Sequence, residues 1–143
     1  MFFRRSRPKQ PTFLERLEAV KSHEFSVSAR PGGVYRIGRG CSAVDIRESD
    51  GGIAWEGRAG IVVGDEIGTL IDGGYQKFFR TPTGRKVPAT ADELLDLHNF
   101  EEDLKEGLGQ KSLYNEALGT VSAFYQYDRV QDRDAGVPKR AWE

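Results

Sequence analysis

One stretch, Thr90 to Gly109, reads TADELLDLHNFEEDLKEGLG and holds a start signal, a periodic apolar face and a stop signal together. Thr90 and Glu93 have the spacing of a capping box, in which the Thr hydroxyl accepts from the Glu93 amide and the Glu carboxylate accepts from the Thr90 amide. At about 100° per residue, Leu94, Leu97, Phe100, Leu104 and Leu108 fall on one arc, and Asp92, Asp96, Asn99, Asp103 and Glu106 fall on the other. Glu101 projects into the apolar arc, and His98 lies at its margin. Gly109 supplies a residue able to close the helix in left-handed backbone, with Gly107 easing the last turn. Such a helix needs an apolar layer to cover its stripe.

The preceding sequence has the pattern of that layer. A first helix is expected over Thr12 to His23, opened by a second capping-box spacing, Thr12 with Glu15, and carrying Phe13, Leu14, Leu17 and Val20 as its face. From Phe25 the period drops to two, through Phe25 to Arg30, the turn Pro31-Gly32-Gly33, and Val34 to Arg39. Ser42 to Glu48 continues the pattern, and Ile53 to Glu56 and Arg58 to Val63 follow with a break or bulge at Gly57. Residues 64–74 suit either a short helix or a strand. Tyr75 to Thr81 and Lys86 to Ala89 form a last hairpin around Thr81-Pro82-Thr83-Gly84.

After Gly109, a short connection and Ser112 as N-cap predict another helix over Leu113 to Tyr127, antiparallel to the first. The expected class is α+β: an N-terminal helix, an antiparallel sheet of about five to seven short strands, and a C-terminal helical hairpin packed on the sheet. Residues 12–128 are read as a single α+β domain. Residues 1–11 are read as a flexible basic arm, and residues 129–143 as a loosely held charged tail.

Charge excludes a strong overall field, since 21 Lys and Arg face 22 Asp and Glu. Its distribution is uneven: Arg4, Arg5, Arg7 and Lys9 stand without an acid in residues 1–11, whereas the helix from Asp92 is acid-rich. The lone cysteine, Cys41, rules out an intrachain disulfide and fits a reducing compartment. With no apolar run after Arg4-Arg5 and none approaching the roughly 20 residues of a membrane helix, a cytoplasmic location is expected.

Places for chemistry are few. His98 and Glu101 have the i, i+3 spacing of two metal-capable side chains on adjacent turns, with Glu102 one position further round. Asp65, Glu66, Asp72 or Glu116 are conceivable further ligands, and no spacing selects among them. The simpler reading holds Glu101 as a core carboxylate bonded by Tyr114, Tyr125, Tyr127 or an Arg. The glycine pairs lack the spacing of a phosphate loop and read as turns. Cys41 beside Arg39 reads as a small apolar residue rather than an activated nucleophile, because neither His23 nor His98 is placed as its base. Tyr75-Gln76-Lys77-Phe78-Phe79-Arg80 with Arg85 and Lys86 interleaves cations and aromatics, as single-strand-binding sheets do. Alternation keeps such neighbours on opposite faces.

No catalytic residue, metal or cofactor is therefore assigned. The leading reading is a small protein-interaction or binding module, with a protein partner or self-association expected. Its candidate contact surface is Tyr75, Lys77, Phe79, Arg85 and Trp142. The first alternative is an acid/base or metal-dependent enzyme using His98, Glu101 and Glu102. Nucleic-acid binding through the arm and the Tyr75–Lys86 hairpin ranks third.

Overall fold

The computed structural model describes residues 12–50, 52–115, 126–141 and 143. The basic arm and Trp142 lie outside the described residues, as does 116–125, the middle of the second expected C-terminal helix. Helix α1 (Phe13–Ser22) precedes seven strands: β1 (Ser26–Arg30), β2 (Val34–Arg39), β3 (Ser42–Ser49), β4 (Gly52–Val63), β5 (Glu66–Asp72), β6 (Lys77–Arg80) and β7 (Lys86–Pro88). These pair antiparallel in chain order, so every strand lies beside its neighbour in sequence. Helix α2 (Ala91–Gly107) follows, then the strand pair β8 (Leu113–Asn115) and β9 (Gln126–Asp128), and finally α3 (Arg129–Asp134). The class is α+β, with an N-terminal helix, a seven-stranded antiparallel sheet and C-terminal helices.

Both expected N-caps form, the second as a complete capping box. Thr12 Oγ1 accepts from the Glu15 amide, and Thr90 with Glu93 closes the reciprocal box. Gly109, at φ +71°, ends α2 as its position required. The two apolar helix faces meet over one side of the sheet: Phe13, Leu17 and Val20 from α1, and Leu97, Phe100, Leu104 and Leu108 from the α2 segment, close on Ile37, Val44, Ile46, Ile61 and Phe79. The Phe25 and Phe100 rings meet edge to face at 5.8 Å, the geometry ring quadrupoles favour. Leu14, counted with the α1 face from its spacing, is instead 63% exposed, because Phe13, Leu17 and Val20 complete the stripe without it.

Strand β4 runs unbroken through Gly57, and the irregularity lies in its pairing, where Gly57 to Ala59 stand against Val44 alone. The ambiguous stretch after Gly64 is strand β5. Gly60 is the point of closest approach: a Cβ there would lie 2.0 Å from the Gly68 carbonyl oxygen.

The second limb of the expected helical hairpin is corrected at both described ends, where 113–115 and 126–128 are paired strands. Ser112, assigned as its N-cap, is engaged elsewhere. Its hydroxyl donates to the Glu102 carbonyl at 3.1 Å and carboxylate at 2.9 Å, leaving no cap for a helix beginning at Leu113. The cap used is Asp128, which accepts from the Val130 amide at 3.0 Å and starts α3. The described residues of 129–143, read as a loosely held charged tail, include that helix and a set of ion pairs. Arg129, 1% exposed, reaches Asp103, Arg133 reaches Glu106 and Glu143, and Arg140 reaches Asp132 while lying over the Tyr127 ring.

Gly60→Ala is expected to destabilise the fold by about 3 kcal/mol or more, at the top of the overpacking range, because its methyl group meets backbone rather than a movable side chain. Urea denaturation of the variant beside the parent protein measures this.

Candidate functional site

The β6–β7 hairpin is held from its turn. Thr81 donates its amide to the Arg85 carbonyl and accepts the Arg85 amide on Oγ1 at 3.1 Å, and Thr83 donates its hydroxyl to Glu66 at 2.7 Å. That last bond holds the Glu66 carboxyl below the usual range. The register sets Phe78 opposite Pro88, Phe79 opposite Val87 and Arg80 opposite Lys86. Phe78, Arg80, Lys86 and Pro88 therefore share one face, while Phe79 turns into the core, fully buried.

Alongside the hairpin runs an open groove of about 560 Å³, lined by Tyr75, Lys77, Phe78, Lys86, Pro88 and Ala89 among others. Tyr75 is fully exposed, and the Lys86 ammonium sits 5.1 Å from the Phe78 ring centroid, within cation–π range. From Tyr75 to Ala89 the chain carries Lys77, Arg80, Arg85 and Lys86 and no acid. Arg80 and Lys86 are exposed and directly opposed across the ladder, an arrangement of like charges that costs stability. The groove thus offers an aromatic floor edged by cations.

Of the surface expected from sequence, Tyr75 and Lys77 come together in this groove. Phe79 does not join them, because the strand's alternation buries it. Arg85 points towards the β4–β5 turn, where its guanidinium comes within 3.0 Å of the position a Cβ on Gly64 would take. Trp142 is outside the described residues. Phe78 and Lys86, named from sequence in the cation–aromatic run but not in the contact surface, line the groove with Pro88; the signal for Phe78 is parity, since only one of two adjacent Phe residues on a strand can face the core.

His98, Glu101 and Glu102 differ in their access to solvent. His98 is exposed, Glu101 half-buried and Glu102 buried. Burial raises the Glu101 carboxyl above its ordinary range, with Glu102 adding to the rise and Lys105, His98 and Arg58 opposing it. Glu102 is the satisfied core carboxylate, accepting from the Ser112 hydroxyl at 2.9 Å and from Lys105 at 3.2 Å. Of the tyrosines considered as partners for Glu101, only the Tyr127 ring is described, and it stacks under Arg140. Among the described residues, no group of three His, Cys, Asp or Glu side chains is placed to hold a metal ion.

A second cleft, of about 580 Å³, opens between the ends of α1 and α2 and α3. Its charges are largely engaged with one another: Arg39 meets Asp103 at 2.8 Å and Phe25 at 4.8 Å, and Arg133 meets Glu106 at 3.1 Å. Cys41 Sγ lies 3.9 Å from Asp96 Oδ2. Burial, then the Asp96 charge, pushes the thiol pKa up, so Cys41 is held away from the reactive thiolate.

Comparisons with protein-family models, with curated proteins and with solved structures find no match to this chain. Among the described residues, no helix is long and apolar enough to cross a membrane.

Two titrations test these placements. Alkylation of Cys41 by iodoacetamide at pH 7.5 is expected to be slower than that of a free model thiol, and Asp96→Asn is expected to accelerate it. The folded state binds a proton on Glu101 more tightly than the unfolded chain does. Stability linked to Glu101 is therefore greatest at acid pH and is lost as pH rises from the ordinary Glu range through the raised value. Glu101→Gln is expected to raise the melting temperature at pH 7.5 more than at pH 4.5 and to flatten that part of the pH profile.

Proposed function

We propose that this chain is a binding module whose β6–β7 groove receives a short acidic segment bearing an apolar side chain. Lys77 and Lys86, which line the groove together with Tyr75 and Phe78, carry this reading. Two lysines on one groove, in a hairpin with no acid of its own, favour an anion seated beside them. Tyr75 and Phe78 add rigid aromatic area, which contributes affinity at little entropic cost. The free Cys41 thiol suits a reducing, cytoplasmic setting.

A short acidic peptide fits better than a nucleic acid. The acidic helix α2 begins at Ala91, two residues beyond Ala89 of the groove, and repels a polyanion that runs past the hairpin.

Fluorescence anisotropy with a labelled peptide of alternating acids and leucines tests the reading. Binding is expected to weaken with added salt and to fall about tenfold, or about 1.4 kcal/mol, in Lys86→Glu. Equal affinity for the peptide and its lysine-containing counterpart, or tighter binding of single-stranded oligonucleotide, overturns it.

A further inference from the structure

We infer that the acidic segment is supplied by a second copy of this chain, whose outer α2 face, Asp92, Leu95 and Asp96, seats in the groove of its neighbour. This inference rests on the binding-groove reading above and names the occupant.

Positions 92, 95 and 96 share one side of a helix, at i, i+3 and i+4. Leu95 is 49% exposed although it sits among the apolar residues of α2, and Asp92 and Asp96 flank it, both exposed. Neither acid is in an ion pair among the described residues. The same holds for the groove's Lys77, which stands opposite Asp72 in the ladder, and Lys86. Apart from the weak Cys41 thiol contact to Asp96 and the Lys86 ammonium over Phe78, the molecule therefore displays two surfaces of opposite sign with no ion pair among the described residues. Each is built round an exposed side chain, Leu95 or Tyr75. One is a leucine between acids, the other an aromatic pair between cations.

The two cannot satisfy each other within one chain. Ala89 lines the groove and Thr90 caps α2, so the helix leaves the groove at its own first turn. Leu97, Phe100 and Leu104, buried against the sheet, then fix the helix in place. A helix laid into the groove must come from another molecule, in the manner of an amphipathic helix docking through i and i+3/i+4 anchors. Because helix face and groove are different surfaces, the contact is head-to-tail, and it propagates or closes into a ring.

Sedimentation velocity on the full chain, from micromolar to millimolar concentration, is expected to show a mass that rises with concentration in low salt and falls back to the monomer in 0.5 M salt. Lys77→Glu/Lys86→Glu and Asp92→Asn/Asp96→Asn are each expected to be monomeric, with circular dichroism and melting temperature showing that both fold. Mixed in equal amounts, they are expected to form a heterodimer and nothing larger, since only one intact groove and one intact helix face remain to meet. Carbodiimide coupling of isotopically mixed parent protein is expected to join Lys77 or Lys86 of one copy to Asp92 or Asp96 of another. A parent protein that stays monomeric while its groove still binds the acidic peptide overturns the second copy as occupant and leaves the groove reading standing. A monomer that binds no peptide overturns both. Self-association untouched by both variant pairs also overturns this interface.

Discussion

The structure depends on the burial of one helical stripe. Leu97, Phe100, Leu104 and Leu108 lie against Ile37, Val44, Ile46, Ile61 and Phe79, and each such side chain withdrawn from water contributes about 1.5–3 kcal/mol. The sheet needs that helix as much as the helix needs the sheet, because its strands carry large aliphatic groups on the same side. Helix α1 extends the cover with Phe13, Leu17 and Val20. Phe25, packed edge-on against Phe100, joins the first strand to the same cluster.

The polar flank of α2 is held differently. Asp103 receives Arg39 from β2 and Arg129 from α3, and Glu106 receives Arg133, so the acids leaving the apolar arc become anchors for cations from distant parts of the chain. Glu102 faces inward and is satisfied by Ser112 and Lys105. Net charge near zero conceals this division of labour. The C-terminal half of α2 commits Glu102, Asp103 and Glu106 to ion pairs within the molecule, while Asp92 and Asp96 in the N-terminal half form none among the described residues.

The two principal helices and most strands could be read from sequence because each is specified locally, by caps such as Thr90 with Glu93 and by alternation such as Val44, Asp45, Ile46, Arg47. The segment after Ser112 was not legible, because its capping signal is diverted by a tertiary bond from the Ser112 hydroxyl back to Glu102, ten residues earlier, that local propensity does not encode. The candidate groove was half legible. Its composition of cations and aromatics is plain between Tyr75 and Lys86, but assigning inward and outward residues required the register, which puts Phe79 in the core and Phe78 beside Lys86. The stripe arithmetic that marked Glu101 as the inward acid was off by one position. The helix presents Glu102 to the interior, leaving Glu101 half-buried at its border.

Because the seven strands pair strictly in chain order, each hairpin can zip as soon as its second strand exists, which favours rapid assembly from local contacts. The helix that covers them comes after all seven. On a translating ribosome the sheet would emerge complete but with only α1 over its aliphatic side, and stay so until α2 had been made. For this chain the vulnerable interval in biogenesis is thus the delay between finishing the meander and receiving its lid, when nascent copies are most prone to stick to one another.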